Sequence, residues 1–330
     1  MALPPIEVPS GAMRFNSDSQ KLEYYDGSQW VQVSTFSPNL NGGARGVFGG
    51  GAAPTNSNVI DYITISSTGN ATDFGDLIAA KDFPGTCASS TRGVLSGGRT
   101  PGVTNTMEFI TILSTGNAIT FGQLTQTRAF LAGCSSSTRG LFGGGATPTY
   151  SNTIDYITIS SVGNAVDFGD LTQTTAFISS CSSSVRGIWG GGITPSNSNV
   201  INYVTISTLG NAQDFGDLTQ ARWGLGGCSS STRGLIAGGI VLAEVNTIDY
   251  IIISSIGNAV DFGDLTVARH YLSSCSSNTR GLFGGGTAGP TNYNIIDYVT
   301  IQNQGNAIDF GDLTQIISAN SALSNAHGGL

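Results

Sequence analysis

The sequence predicts an all-β fold made of six repeats of 47 residues behind a small, non-repeating N-terminal β module. Three observations carry this prediction. Arg-Gly pairs begin at Arg45, Arg92, Arg139, Arg186, Arg233 and Arg280, each 47 residues after the one before. Glycine is 47 of 330 residues while charged residues are only 10%, a balance that favours tight turns and short strands over long solvated helices. Neither a helical solenoid pattern nor a heptad pattern appears along the chain.

Within one repeat four short segments read as strands: "RAFLAGCSSS", "RGLFGG", "IDYITIS" and "NAVDFGDL". Each is rich in β-branched or aromatic residues, and in the first the apolar part centres on Phe130 and Leu131. Gly163-Asn164 tolerate positive φ and supply a tight hairpin between the third and fourth. Four antiparallel strands in about 47 residues is the period of a propeller blade, so six repeats predict a six-bladed β-propeller over residues 35–330. The Gly-Asn-Ala triplets at Gly69, Gly116, Gly163, Gly210, Gly257 and Gly305 keep the period of 47 until a last step of 48. The extra residue falls between Gly286 and Asp297, in "TAGPTNYNI", where a surface loop absorbs an insertion. Two segments compete to complete the first blade, because both Leu40 and Leu323 align with the cysteine of the other copies. The C-terminal segment is favoured over Thr35–Ala44, since a late strand pairing with the first blade leaves no open edge.

Composition excludes several classes of function. The formal charge is -8, and the 13 Lys and Arg residues are scattered singly, which leaves no phosphate-tracking surface for nucleic acid. No apolar run approaches the ~18 residues of a membrane span, and "MALPPIEVPSG" lacks the basic and apolar regions of a signal peptide. A soluble protein, not secreted by a signal of its own, is expected.

The repeat resembles the kelch type of propeller. The shared features are a strand ending in a double glycine, a Tyr-containing strand, and then a Leu and an Arg before the next apolar strand. The tryptophan usual in kelch blades is absent, its place taken by Phe168 and its copies. The resemblance covers residues 45–326 and implies architecture, not activity.

Two motifs suggest nucleotide chemistry. Asp-Phe-Gly begins at Asp73, Asp167, Asp214, Asp261 and Asp309, but a kinase needs one such triplet beside a catalytic loop and a strand lysine. Scaffolding is the better reading, with Phe in the core and Asp167 and Asp170 accepting backbone N–H groups or facing the repeated Arg. The second copy, with Thr120 and Gln123, manages without those carboxylates, and Asp-x-x-Asp alone supplies too few oxygens for calcium. Gly143–Gly145 is not followed by Lys-Ser or Lys-Thr, so it reads as close backbone approach rather than a phosphate loop. Cys87, Cys134, Cys181, Cys228 and Cys275 fall 47 residues apart, without metal-binding spacing, and read as buried free thiols. His270 and His327 lack a nucleophile motif. No catalytic, metal or cofactor site is expected.

Where the copies differ, binding is expected. The fifth repeat reads "IVLAEV" where others carry Pro, Thr, Ser and Asn, making Ile240, Val241 and Leu242 a candidate protein contact or, equally, a loop folded over its own blade. After each Leu-Thr lies a second variable set, in which Arg222, Trp223, Arg269, His270 and Tyr271 are the ligand candidates, suited to stacking on a sugar or anchoring a protein. Phe130 and Phe177, in the same set, fit core positions.

The first 34 residues read as a meander: "AMRFN", "KLEYY", the Asp26-Gly27 turn and "WVQVS". Gly11, Arg14, Phe15, Asn16, Leu22, Glu23, Tyr24, Tyr25, Asp26, Gly27, Trp30 and Val31 make this stretch similar to a short module of tailed-bacteriophage virion proteins, especially fibres and appendages. That resemblance implies a virion structural protein, assembled in the host cytoplasm in multiple copies. It also implies attachment to other virion proteins, with Arg14, Phe15, Asn16, Tyr24, Tyr25 and Trp30 as contacts. The propeller would then be displayed for host-surface glycan or protein binding. A capsid or tail cement protein with no external ligand, and a glycan-cleaving enzyme, are the alternatives; no repeat-breaking acid pair supports the enzyme.

Overall fold

The computed structural model describes residues 8–16, 21–32, 44–52 and 54–330, without the side chains of residues 21, 22 and 32. They divide into two compact units, residues 1–41 and 42–330. The closing stretch Thr35–Ala44 considered above lies, apart from Ala44, outside the described residues.

In the first unit, Met13–Asn16, Lys21–Tyr25 and Trp30–Gln32 form an antiparallel meander. The Asp26 carboxylate sets the second turn by accepting the N–H groups of Ser28 and Gln29 at 2.7 and 2.8 Å. Cross-strand partners share a face, so Arg14 meets Glu23 and Tyr25 meets Trp30. Glu23 is the hub of that face: it accepts from Arg14 at 2.9 Å and Asn16 at 3.0 Å, which holds its carboxyl below the usual range. The Arg14 guanidinium lies 4.2 Å over the Trp30 ring. Met13, Phe15 and Tyr24 occupy the opposite face, exposed at 61%, 65% and 40%.

The second unit is all-β, with no helix among the described residues. Its 47-residue repeats appear as four-stranded antiparallel sheets in a propeller-like arrangement. A representative sheet runs Ala132–Ser135, Arg139–Gly143, Thr153–Thr158 and Val166–Asp170. Burial explains the strand signals: the Arg-Gly strand is buried on both faces, while the last strand buries its Phe and leaves Val166 and Asp167 exposed. Phe168 is 3% exposed. A two-stranded ribbon, Ala146–Thr147 with Thr149–Tyr150, projects after the double glycine and was not legible in the sequence. The inserted residue of the last repeat lies in the turn of such a ribbon, between Ala288 and Thr291. The four strands of the first sheet come from both chain ends, with Ser321–Ser324 pairing to Arg45–Gly49 so that Leu323 faces Val47.

Neighbouring sheets interlock through the repeated motifs. An added Cβ on Gly169 of Asp-Phe-Gly would lie 2.5 Å from Gly210 O of the next repeat, so the triplet's glycine is demanded by backbone contact. An added Cβ on Gly140 would meet Cys87 Sγ at 2.3 Å, so the glycine of Arg-Gly makes room for the preceding repeat's thiol. All five cysteines are buried and free. The Arg-Gly arginines do not face Asp167 and Asp170. Arg92 donates to Ile159 O at 2.9 Å and lies 4.2 Å over Phe109, and the same bond recurs in every repeat, including Arg280 to Ile65 O at 3.0 Å.

Candidate functional site

Just before the first strand of each sheet, the chain passes through a left-handed residue. These are Phe83, Phe130, Phe177, Gly224, Tyr271 and Ala319, with φ from 51 to 72°. Bulky side chains rarely adopt this conformation. It is held here by backbone bonds from one repeat to the next: Phe130 N donates to Phe83 O (3.3 Å), Phe177 N to Phe130 O (2.9 Å) and Gly224 N to Phe177 O (3.0 Å). Tyr271 N donates to Gly224 O, Ala319 N to Tyr271 O, and Phe83 N to Ala319 O. The strained backbone gathers the four aromatic side chains into one cluster. Ring centroids are 4.1 Å apart for Phe130 and Phe177, 4.8 Å for Phe83 and Tyr271, and 5.5 Å for Phe177 and Tyr271. Phe130 and Phe177, expected in the core, instead lie half-buried in this cluster.

Trp223 and His270 extend it. Trp223 packs edge-on against Phe177 at 5.2 Å and His270 at 5.9 Å, and His270 lies 4.3 Å from Tyr271. Gly224 makes the packing possible, because a Cβ there would touch the Tyr271 ring at 3.3 Å. Arg99, unpredicted from the sequence, reaches over Phe83 and Phe130 at 5.2 and 5.1 Å while paired with Asp82 at 2.5 Å. Its signal was present: it is the only charged residue directly following a double glycine. Burial pushes Tyr271 up to about 12 and lowers His270, whose ring faces Glu244 at 3.7 Å. Phe83, Phe130, Phe177, Trp223 and Tyr271 are half-buried, whereas His270, expected as a ligand contact, is buried at 8% exposure, so the accessible part of the cluster is aromatic, with a neutral tyrosine and one half-exposed guanidinium.

Arg222 and Arg269 do not belong to it. Both side chains are fully buried, with Arg222 Nη2 2.9 Å from Asp249 and Arg269 Nη1 3.0 Å from Asp297. The aspartate is that of Ile-Asp-Tyr, and the pairing explains a covariation among the repeats. Arg128 pairs with Asp155 at 2.7 Å, Lys81 with the longer Glu108 at 2.5 Å, and the uncharged Thr175 is matched by Asn202. Desolvation lowers the Arg222 pKa and Asp249 opposes that shift. The sixth cation position holds Ile317, opposite Asp61. Ile240, Val241 and Leu242 are split: Ile240 bridges to Trp223 and is half-buried, as is Val241, while Leu242 is 98% exposed.

Behind the cluster the first strands line a cavity of about 160 Å³, with the aromatic side chains at one end and His327 at the other. Serine hydroxyls stitch these strands together: Ser182 Oγ donates to Ser135 O, Ser229 Oγ to Ser182 O and Ser276 Oγ to Ser229 O. His327 Nδ1 accepts from Gly329 N at 3.1 Å, so Nε2 carries the proton donated to Ala88 O at 2.9 Å. Burial lowers its pKa and keeps it neutral.

No family model matches the chain, and no curated protein sequence does so either.

Proposed function

We propose that this protein is a closed six-bladed β-propeller of a tailed-phage virion, displayed to bind a host-surface glycan without turning it over. The observation that carries the binding reading is the half-buried cluster of Phe177, Trp223 and Tyr271 beside Arg99, with the buried His270 packed against Trp223 and Tyr271. Aromatic faces stack on the apolar faces of sugar rings, and a guanidinium contacts hydroxyls or acidic substituents. Closure is supported by links between the chain ends: Ser321–Ser324 on Arg45–Gly49, Arg280 on Ile65 O, and Gly69 N on Phe310 O at 2.8 Å. Assignment to a virion rests on the N-terminal resemblance. The exposed face of Met13, Phe15 and Tyr24 gives that module an apolar surface to bury against a virion neighbour. Several copies on one particle would turn weak single-site contacts into avidity.

The test is saturable binding of the purified full chain to envelopes and surface polysaccharides of susceptible hosts. Trp223→Ala and Tyr271→Ala should each weaken binding about tenfold or more, in the range of a lost stacking or hot-spot residue. No binding to any susceptible host, with the protein still incorporated into particles, would favour the cement role, for which the exposed Leu242 is the contact. Turnover of those polysaccharides would refute the non-catalytic reading.

A further inference from the structure

The six repeats act as internal controls for one another, and in one of them the buried acid has no matching cation. In the third sheet the Arg128 guanidinium fills a cage, with Nη1 donating to Gly144 O at 2.8 Å and Thr153 O at 2.6 Å and Nη2 donating to Asp155 at 2.7 Å. Arg222 repeats the arrangement with Gly238 O, Thr247 O and Asp249. The corresponding positions in the first sheet are Gly50, Val59 and Asp61, but the position of the arginine is Ile317. No guanidinium among the described residues reaches that cage, and a void of about 10 Å³ remains, whose lining includes Gly50, Val59, Asp61, Gln315, Ile317 and Asn320. This is room for a single water-sized occupant.

A second, independent departure occurs at the same place. Asn320 occupies a position that is Pro, Leu or Ile in the other five copies (Pro84, Leu131, Ile178, Leu225, Leu272). It is 7% exposed, and neither Oδ1 nor Nδ2 has a hydrogen-bond partner. The repeat that lost a buried cation has thus gained a buried, unpartnered amide beside the void. Asp61 is 5% exposed, and among the described residues its only hydrogen-bond partner is Thr314, which donates through both N–H and hydroxyl. Asp73, its cross-strand neighbour, adds further negative potential. A buried carboxylate without a counter-charge is costly, and the equivalent anions Glu108, Asp155, Asp249 and Asp297 all have one.

We propose that this void is a binding site for one monovalent alkali cation, which takes the place of the missing guanidinium with the Asp61 carboxylate, the carbonyl oxygens of Gly50 and Val59, and Asn320 Oδ1 as its ligands. All are hard oxygen donors, as alkali ions require. One carboxylate balances one positive charge, whereas calcium takes six to eight oxygens and usually several carboxylates. The void lies between the first and last repeats of the chain, so the ion would tie the two chain ends together.

The experiment is calorimetry of the full chain in sodium, potassium and choline chloride at equal ionic strength. One of the alkali salts should raise Tm saturably by about 1–3 °C over choline, as expected for a weak site on a chain of this size. Asp61→Asn, which keeps an acceptor for Thr314 as Asn202 does for Thr172, should abolish the increment. Asn320→Leu, which restores the side chain of three other repeats, should reduce or abolish it. Loss in either folded variant supports the site. Equal Tm in choline and both alkali salts, as a water or a protonated Asp61 would give, overturns it. So does an alkali increment that survives in both variants.

Discussion

Replacing Arg222 by Thr tests whether the buried pairs are held by charge matching or by packing alone. The Arg222 side chain is 0% exposed and donates to Gly238 O at 2.6 Å, Thr247 O at 2.8 Å and Ile236 O at 3.2 Å as well as to Asp249. Removing it leaves the Asp249 carboxylate buried with Thr219 as its only donor among the described residues, at 3.1 and 2.6 Å. Breaking one side of a buried pair costs about 3–5 kcal/mol, chiefly through the uncompensated charge. Adding Asp249→Asn recreates the Thr175–Asn202 pair that the fourth sheet already uses. There Asn202 Oδ1 accepts from Thr172 N at 3.1 Å and Oγ1 at 2.5 Å, so the Thr219 bonds should survive the change. What remains is the loss of donors to three carbonyls, about 1–3 kcal/mol in all if water enters the vacated space. The double variant should therefore be about 2 kcal/mol more stable than Arg222→Thr alone, read as a shift in the urea midpoint at constant slope. A double variant no more stable than Arg222→Thr would refute the reasoning and make packing the dominant role of the arginine.

Further outcomes follow from the same geometry. Deleting residues 321–330 strips Arg45–Gly49 of its partner strand and should destabilise the repeats by several kcal/mol or cause aggregation through the exposed edge, visible by calorimetry and light scattering. The five thiols should resist a thiol reagent in the native protein and react only on unfolding, because burial raises their pKa values, Cys181 to about 12; rapid native labelling would contradict the buried arrangement. His327 is neutral when folded, its pKa lowered by burial, so its contribution to stability is fully present above the unfolded value of about 6.5 and is lost as pH falls through the lower folded value. A stability profile of wild type against His327→Gln should diverge below about pH 6.5.

Much of the architecture was written in the chain, because each repeat must bury the same faces against the same neighbours. The period of 47, the strand positions, the buried Phe168 and the buried thiols all follow from that repetition. So does the scaffold role of Asp-Phe-Gly, although the sequence could not say that its glycine answers to Gly210 O of the next repeat. The aromatic cluster was legible only in part. Variation between copies pointed to Trp223, His270 and Tyr271, but the same rule drew in Arg222 and Arg269, which vary because they must match Asp249 and Asp297. At the neighbouring positions 222 and 223, one side chain is fully buried and the next is half-buried in the aromatic cluster. A one-dimensional reading of variability could not separate the two. Phe130 and Phe177 were read as core for the converse reason: an apolar side chain normally follows the strand inward, and only the backbone bonds between repeats turn these outward. The sequence alone settles what repeats and how often, since that is a property of local pattern. Which of two adjacent side chains meets solvent, and that Asp61 lacks the cation that Glu108, Asp155, Asp249 and Asp297 have, was decided by tertiary packing that brings together residues far apart in the chain, such as 61 and 317, which line one void.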